Sequence, residues 1–351
     1  MKRRLSPAFA FAVALGCGAE PEQTSILRAV DVSLGETVPV QLPDGSRATV
    51  KLIRIDEKRD SVLGALREAR VTIDVNGERA ELVAGNYNLP RQIAGVQIDC
   101  AATSGLNKNG EPGSWGLKKD ARFRLWPGNS PWIEPGTFSL PLHARWLARN
   151  SQMANEPVFV DGPENPLRNG RPLYYHNQLD IGGVEGWEDI LAATDGLVVS
   201  VHGKALPEHQ EKARPRPDVV YVVDQRGWYY RYSHMCYIRP EIRLGARVKM
   251  SQRIGVLGRE GGAGWSHLHF GISCQQPSGE WATLEAYAFL WEAYLRQFRP
   301  KLIAMARPHH LVNIGEEAEL DGGKSWSATG RIVDYEWTFT DGSKVTGQRI
   351  R

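Results

Sequence analysis

Four cysteines are spread over 351 residues, and neither sign of charge dominates: 43 Lys and Arg stand against 40 Asp and Glu, for a net +3. So small a charge creates no global field that would recruit nucleic acid. Beyond the N-terminus no apolar run reaches the roughly 18 residues of a membrane-spanning helix. The composition, 42% hydrophobic and 24% charged with 36 Gly and 21 Pro, argues against long disorder, a coiled coil or a helical bundle. What is present suits strands and turns, and the length suits two or three domains.

The chain opens Met1-Lys2-Arg3-Arg4 and runs apolar from Pro7 through Leu15 to Gly16-Cys17. A basic start followed by a short apolar stretch reads as a secretory signal over 1–17. Cys17 after Gly16 resembles the acylated cysteine of a bacterial lipobox. Ala14-Leu15 inverts the usual order there, so plain cleavage nearby competes with a lipid anchor at Cys17. Export places the protein in the periplasm or cell envelope, lipid-anchored or not, or outside the cell. Disulfides persist in such compartments. Cys100, Cys236 and Cys274 leave room for one, and Cys236 with Cys274 is the favoured pair because both lie near the motifs described below.

Residues 25–145 read as a small β domain. Alternating runs at 37–42 and 48–53 flank a Pro-Asp-Gly turn, and Asn76-Gly77 between 71–75 and 80–83 has the residues of a type I′ hairpin turn. A linker is expected over 146–172. A second β-rich block follows at 173–282, with strands at 196–201, 219–223, 228–232 and 267–272. A basic, proline-punctuated interruption at 203–217 is a solvated loop or a polymer-binding rim. The apolar stripe Leu284, Tyr287, Leu290, Trp291, Tyr294, Leu295 and Phe298 predicts a packing helix within 283–305. From 308 to 351 the texture changes, and Tyr335-x-Trp337-x-Phe339-x-Asp341-Gly342 resembles the core strand of a polycystic-kidney-disease (PKD) type repeat. The remaining chain is too short to close such a sandwich, which suggests a truncated piece. The fold class is therefore mainly β: an N-terminal β domain, an antiparallel sheet or barrel-like central domain, and a partial β-sandwich.

Four of the nine histidines stand apart from the rest. His176 precedes Asp180 in His-Asn-Gln-Leu-Asp, His267 and His269 flank Leu268, and His234 lies between these motifs. Period-2 geometry puts His267 and His269 on one face of a strand. Catalytic zinc takes three protein ligands of this chemistry and keeps one position open. His143, His202, His209, His309 and His310 lack acidic or Cys partners at ligand spacing and are expected at the surface or in packing roles.

With Ala192-Ala193-Thr194-Asp195-Gly196 before the middle strands and Gly261-Gly262-Ala263-Gly264 leading into His267-Leu268-His269-Phe270, residues 173–275 resemble the lysostaphin-type zinc endopeptidases that cut bacterial peptidoglycan. The resemblance implies zinc (Zn2+) on His176, Asp180 and His269. It also implies two catalytic imidazoles: His267 as the base on a zinc-activated water, and His234 stabilising the oxyanion or protonating the leaving amine. Peptide stems or cross-bridges of peptidoglycan become the expected partner, and nucleic acid does not. One departure is visible, since Gln178 stands where the family usually has glycine. Tyr174 and Tyr175 pack beside the first ligand or add a phenolic donor. The D-Ala-D-Ala carboxypeptidase class fits less well, because its first His and Asp are more widely spaced. A non-catalytic wall-binding or amidase-activating module of the same fold is the alternative, although such modules usually lose ligands that are all present here. An adhesive surface protein leaves the histidines unexplained.

Overall fold

The computed structural model describes residues 25–108, 114–145, 147, 150–159 and 173–351. The expected signal sequence with Cys17, and most of the expected linker, lie outside these residues.

The N-terminal strands follow their binary pattern. The chain runs through β1 (Arg28–Val32), β2 (Thr37–Gln41) and β3 (Arg47–Arg59). In β3, Ala48, Val50 and Leu52 are buried while Arg47, Thr49 and Lys51 are exposed, a period-2 alternation that gives one core face. With β4 (Leu66–Val75) and β5 (Glu78–Val83) these strands form a sheet of order β2-β3-β4-β5. The β4–β5 turn has Asn76 and Gly77 at φ 51° and 88°, the left-handed pair a type I′ turn requires. A second sheet, ordered β1-β8-β7-β6, uses β6 (Arg91–Ile93), β7 (Val96–Thr103) and β8 (Ala121–Pro127).

Strand β8 is buried on both faces. Phe123 and Leu125 enter the core shared by the two sheets, whereas Arg122 and Arg124 are buried pointing the other way. Arg122 makes a bidentate pair with Asp31 at 2.7 and 2.8 Å. Arg124 pairs with Asp99 at 3.0 and 2.5 Å and donates to the backbone carbonyl of Glu285. The second arginine thus ties the N-terminal sheet to the segment before the C-terminal helix. Arg124→Ala should strand Asp99 as a buried, unpaired charge. A destabilisation of about 3–5 kcal/mol is expected, read as a lowered urea midpoint at unchanged slope.

Downstream lies a nine-stranded sheet of order β15-β14-β16-β17-β21-β12-β9, with β19 on β14 and β22 on β21. Its strands are β9 (Ser151–Gln152), β12 (Leu179–Gly182), β14 (Gly196–Val201), β15 (Lys204–Ala205), β16 (Val220–Val223), β17 (Tyr229–Ser233), β19 (Arg247–Val248), β21 (His267–Gln275) and β22 (Trp281–Leu284). Two smaller sheets adjoin: β10 (Pro157–Phe159) with β11 (Leu173–Tyr175), and β13 (Asp189–Leu191), β20 (Arg253–Leu257) and β18 (Met235–Ile238). Leu268, Phe270 and Ile272 of β21 enter the main core with Tyr230, Tyr232 and Phe289, leaving the alternate residues of β21 for the opposite face.

The predicted helix is shorter than its apolar stripe. It spans Tyr287–Phe298, because Leu284 pairs with Ile272 as the last residue of β22, and Arg299, left-handed at φ 44°, caps the helix before Pro300. The 203–217 interruption is not simply solvated. It carries β15 and a short helix, Gln210–Ala213, whose Ala213 is buried against Val199, Tyr221 and Tyr229. C-terminal to residue 301, two-residue and three-residue ladders such as Glu336–Thr338 with Lys344–Thr346 make up the regular structure.

The favoured disulfide is absent: Cys100, Cys236 and Cys274 are all free thiols. Ser233, at the end of β17, pairs with His269, and Cys236 lies beyond that end, in β18. Cys274 is five residues from His269 in the other direction along β21, about 17 Å at strand rise. A disulfide needs Cα atoms within about 7 Å.

Candidate metal centre

Register assembles the site. Antiparallel pairing sets Asp180 of β12 directly opposite His269, and on its other side His269 faces Ser233 of β17. His267 lies two residues earlier on the same face, and His176 follows β11 immediately. His234 follows β17 with φ 69°, a left-handed conformation that is strained for histidine. The four imidazoles and one carboxylate singled out in the sequence therefore meet around the start of β21. His176, Asp180 and His269 bring ligand atoms within 4.8 Å of one another, and so do His234, His267 and His269.

Asp180 is the hub and is buried, at 3% exposure. Its Oδ2 lies 3.1 Å from His176 Nε2 and 3.2 Å from His267 Nε2, while Oδ1 lies 2.7 Å from His269 Nδ1. The far nitrogens show which atoms carry protons. His176 Nδ1 faces the Met153 carbonyl at 3.2 Å, and His267 Nδ1 faces the Trp265 carbonyl at 2.9 Å. A ring nitrogen against a carbonyl oxygen is the protonated one. Neutral His176 and His267 thus both turn Nε2 lone pairs toward a carboxylate oxygen. Acceptors converging in this way repel unless a proton or a metal cation lies among them, and this nitrogen and oxygen donor set fits a zinc-type ion.

The protonation equilibria reflect the same conflict. At His176 burial works against the charged form, but the charge and hydrogen bond of Asp180 outweigh it and the pKa is raised. Burial pushes His269 down to about 3 despite the same carboxylate. Burial also lowers His267 and His234. Asp180 resists protonation: the charges and hydrogen bonds of His176 and His269 overcome burial and hold its carboxyl far below the usual range.

Supporting groups invisible as motifs complete the arrangement. The Trp265 ring stacks on His267 with centroids 4.3 Å apart and an interplanar angle of 29°. His234 holds Nδ1 on the Glu260 carbonyl at 2.6 Å and its backbone N–H on Asp218 Oδ2 at 3.1 Å. Asp218 is itself clamped by Arg216 at 3.1 and 2.7 Å. The Met153–Glu156 turn supports His176, since the His176 N–H donates to the Glu156 carbonyl at 2.8 Å. Trp265, two residues before His267, was the only one of these with a signal beside a motif. Asp218 and Arg216 sit in or next to the basic interruption, far from any histidine in sequence.

Gln178 answers the departure from glycine. It adopts φ 68°, the conformation glycine would take most easily, and lays its carboxamide over Gly271. A Cβ on Gly271 would fall 1.8 Å from Gln178 Cδ. The Tyr175 hydroxyl accepts the Leu66 N–H at 2.7 Å, so it joins the N-terminal sheet. Of the remaining histidines, His143 meets Gln297, His209 meets Tyr229, and exposed His309 lies 3.4 Å from Glu156.

Residues 174–279 match the model of Peptidase family M23. The fold is also similar to solved structures, at low scores. The catalytic domain of lysostaphin from Staphylococcus simulans is 20% identical, with 43% of this chain and 98% of that one covered at a TM-score of 0.31. The catalytic domain of the prophage-encoded M23 protein EnpA from Enterococcus faecalis is 17% identical, with 44% and 93% covered at 0.27. Csd3 from Helicobacter pylori is 13% identical, with 72% and 75% covered at 0.31. Likenesses at this level decide nothing about activity. No curated protein matches the chain, and no comparison bears on the PKD-like segment.

Proposed function

We propose that this chain, whose residues 174–279 match the model of Peptidase family M23, is an exported, zinc-dependent endopeptidase that hydrolyses peptide cross-links of bacterial peptidoglycan. The observation that carries the reading is the convergence of His176 and His267 Nε2 on Asp180 Oδ2, at 3.1 and 3.2 Å, beside His269. His176, Asp180 and His269 would hold the ion. Zinc bound there supplies a Lewis acid that polarises a carbonyl and brings the pKa of water toward about 7.

The chain's own residues do the rest. His267 is held in one tautomer by the Trp265 carbonyl and in one plane by the Trp265 ring, which leaves Nε2 to take a proton. Burial keeps the ring neutral, as a base must be. His234 works through Nε2 as well. When its ring is charged, the Glu260 carbonyl and, at 3.6 Å, Asp218 face its Nδ1. Burial lowers its pKa, so it holds that proton weakly and gives it up to a leaving amine.

Purified protein should carry about one zinc and release soluble peptides from isolated sacculi, with mass spectrometry of the fragments identifying the bond cut. A metal-free wild type, as the non-catalytic module would be, overturns the proposal. The acid limb of activity should also fall below the ordinary imidazole pKa of about 6.5. His267 has a lowered pKa, so it stays neutral as pH falls past that value and is lost as a base only beneath it. An acid limb above pH 6.5, measured as kcat/KM against pH, would contradict the assignment.

A further inference from the structure

Arg231 is a half-buried cation with no ion pair among the described residues. It lies at the middle of β17, opposite Gly271 on β21 and Tyr221 on β16. Its Nε is buried and makes no hydrogen bond, and its side chain has no ion-pair partner among the described residues. The other interior arginines are neutralised: Arg122 by Asp31, Arg124 by Asp99, Arg226 by Asp224. Burial disfavours the charge of Arg231 and outweighs the support of Tyr221 and Asp218, while Arg216 and Arg214 of the basic interruption add repulsion. Asp218 attracts it only from a distance: both carboxylate oxygens are hydrogen-bonded to Arg216, and none to Arg231. A cation kept in such a place is costly unless something arrives to pair with it.

Its location shows what that is. Gly271 lies two positions along β21 from His269, about 7 Å at strand rise, and pairing puts Arg231 on the same face as His269 and Asp180. On the opposite side of β21, Gln178 covers Gly271, and its Oε1 is also buried without a hydrogen-bond partner. Rotation of the terminal amide presents either its oxygen or its NH2 to a ligand. Arg231 Nε and Gln178 Oε1, each buried without a hydrogen-bond partner, thus lie beside and over Gly271, next to the metal centre. A guanidinium fork matches a carboxylate, with the amide NH2 as a further donor.

We propose that Arg231 and Gln178 form a subsite for a carboxylate of the substrate, so that the chain selects cross-linked stem peptides bearing a free carboxylate close to the scissile bond over neutral polyglycine bridges. This rests on the peptidase reading above and names the substrate class of that site. The neutral bridge would leave Arg231 unpaired in the complex as well.

The test uses the zinc-loaded full chain and two synthetic cross-linked peptides that differ only in a free carboxylate or a carboxamide beside the scissile bond. Wild type should favour the carboxylate peptide roughly ten- to hundredfold in kcat/KM, the range expected for charge-assisted hydrogen bonds, mainly through KM. In Arg231→Met, or in Arg231→Gln if the first folds poorly, the ratio should fall close to one. Melting temperature should not drop, since an unpaired, half-buried charge has been removed. Equal use of both peptides by wild type, or a preference that survives in the variant because the metal alone captures the carboxylate, overturns the proposal. Calorimetric binding of the same pair separates this from the peptidase reading. If neither peptide nor sacculi are cut, the peptidase reading fails, while carboxylate-selective binding that depends on Arg231 still upholds the subsite and its absence still removes it.

Discussion

Asp180→Ala should empty the metal centre: zinc content falls from about one per chain to near zero, and hydrolysis of sacculi falls at least about a thousandfold. The magnitude follows from the several kcal/mol of transition-state stabilisation that a catalytic metal supplies, at about 1.4 kcal/mol per tenfold in rate. Asp180 is chosen over the histidines because it meets three of the four imidazoles: both oxygens are used, by His176, His267 and His269. The protein should stay folded. Removing the carboxylate leaves neutral imidazoles, two of which keep their backbone carbonyl partners. Zinc measured by mass spectrometry under native conditions, together with thermal melting, distinguishes a lost site from a lost fold. Full zinc occupancy in the variant would remove Asp180 from the ligand set.

His267→Ala should give the complementary result, with zinc retained near one per chain and turnover reduced by about a hundred- to ten-thousandfold, the range for a lost general base. The two variants are informative together because His267 and His269 are two residues apart on one strand face and both approach Asp180. Geometry alone allows either to be a ligand. The difference lies in what anchors them. His267 is stacked on Trp265, and its ring centroid is 4.7 Å from that of His234, whereas His269 is opposite Asp180 in the ladder and 5.2 Å from His176. Zinc lost from His267→Ala would exchange the roles.

Much of the candidate site was legible in the primary structure because its spacing is local. A His-x-x-x-Asp and a His-x-His, each near a strand, declare their donors without any knowledge of the fold, and the alternation of β21 follows from Leu268, Phe270 and Ile272 being apolar. The helix and the type I′ hairpin were equally plain, since both depend on residues within a few positions of one another. The disulfide was misread for the same reason turned around: nearness of Cys236 and Cys274 to motifs in sequence says nothing about where strands end in space.

Long-range register decided the rest. The primary structure by itself determined the donor types, the mainly β architecture and the side of β21 on which the histidines lie. The tertiary structure alone decided that β12 pairs with β21 so that Asp180 meets three imidazoles, that Asp218 and Glu260 hold His234, and that Arg231 Nε is left without a hydrogen bond beside Gly271. Side-chain chemistry is written one residue at a time. Burial and charge pairing depend on which strands become neighbours, and that is set by the packing of whole sheets around a common core.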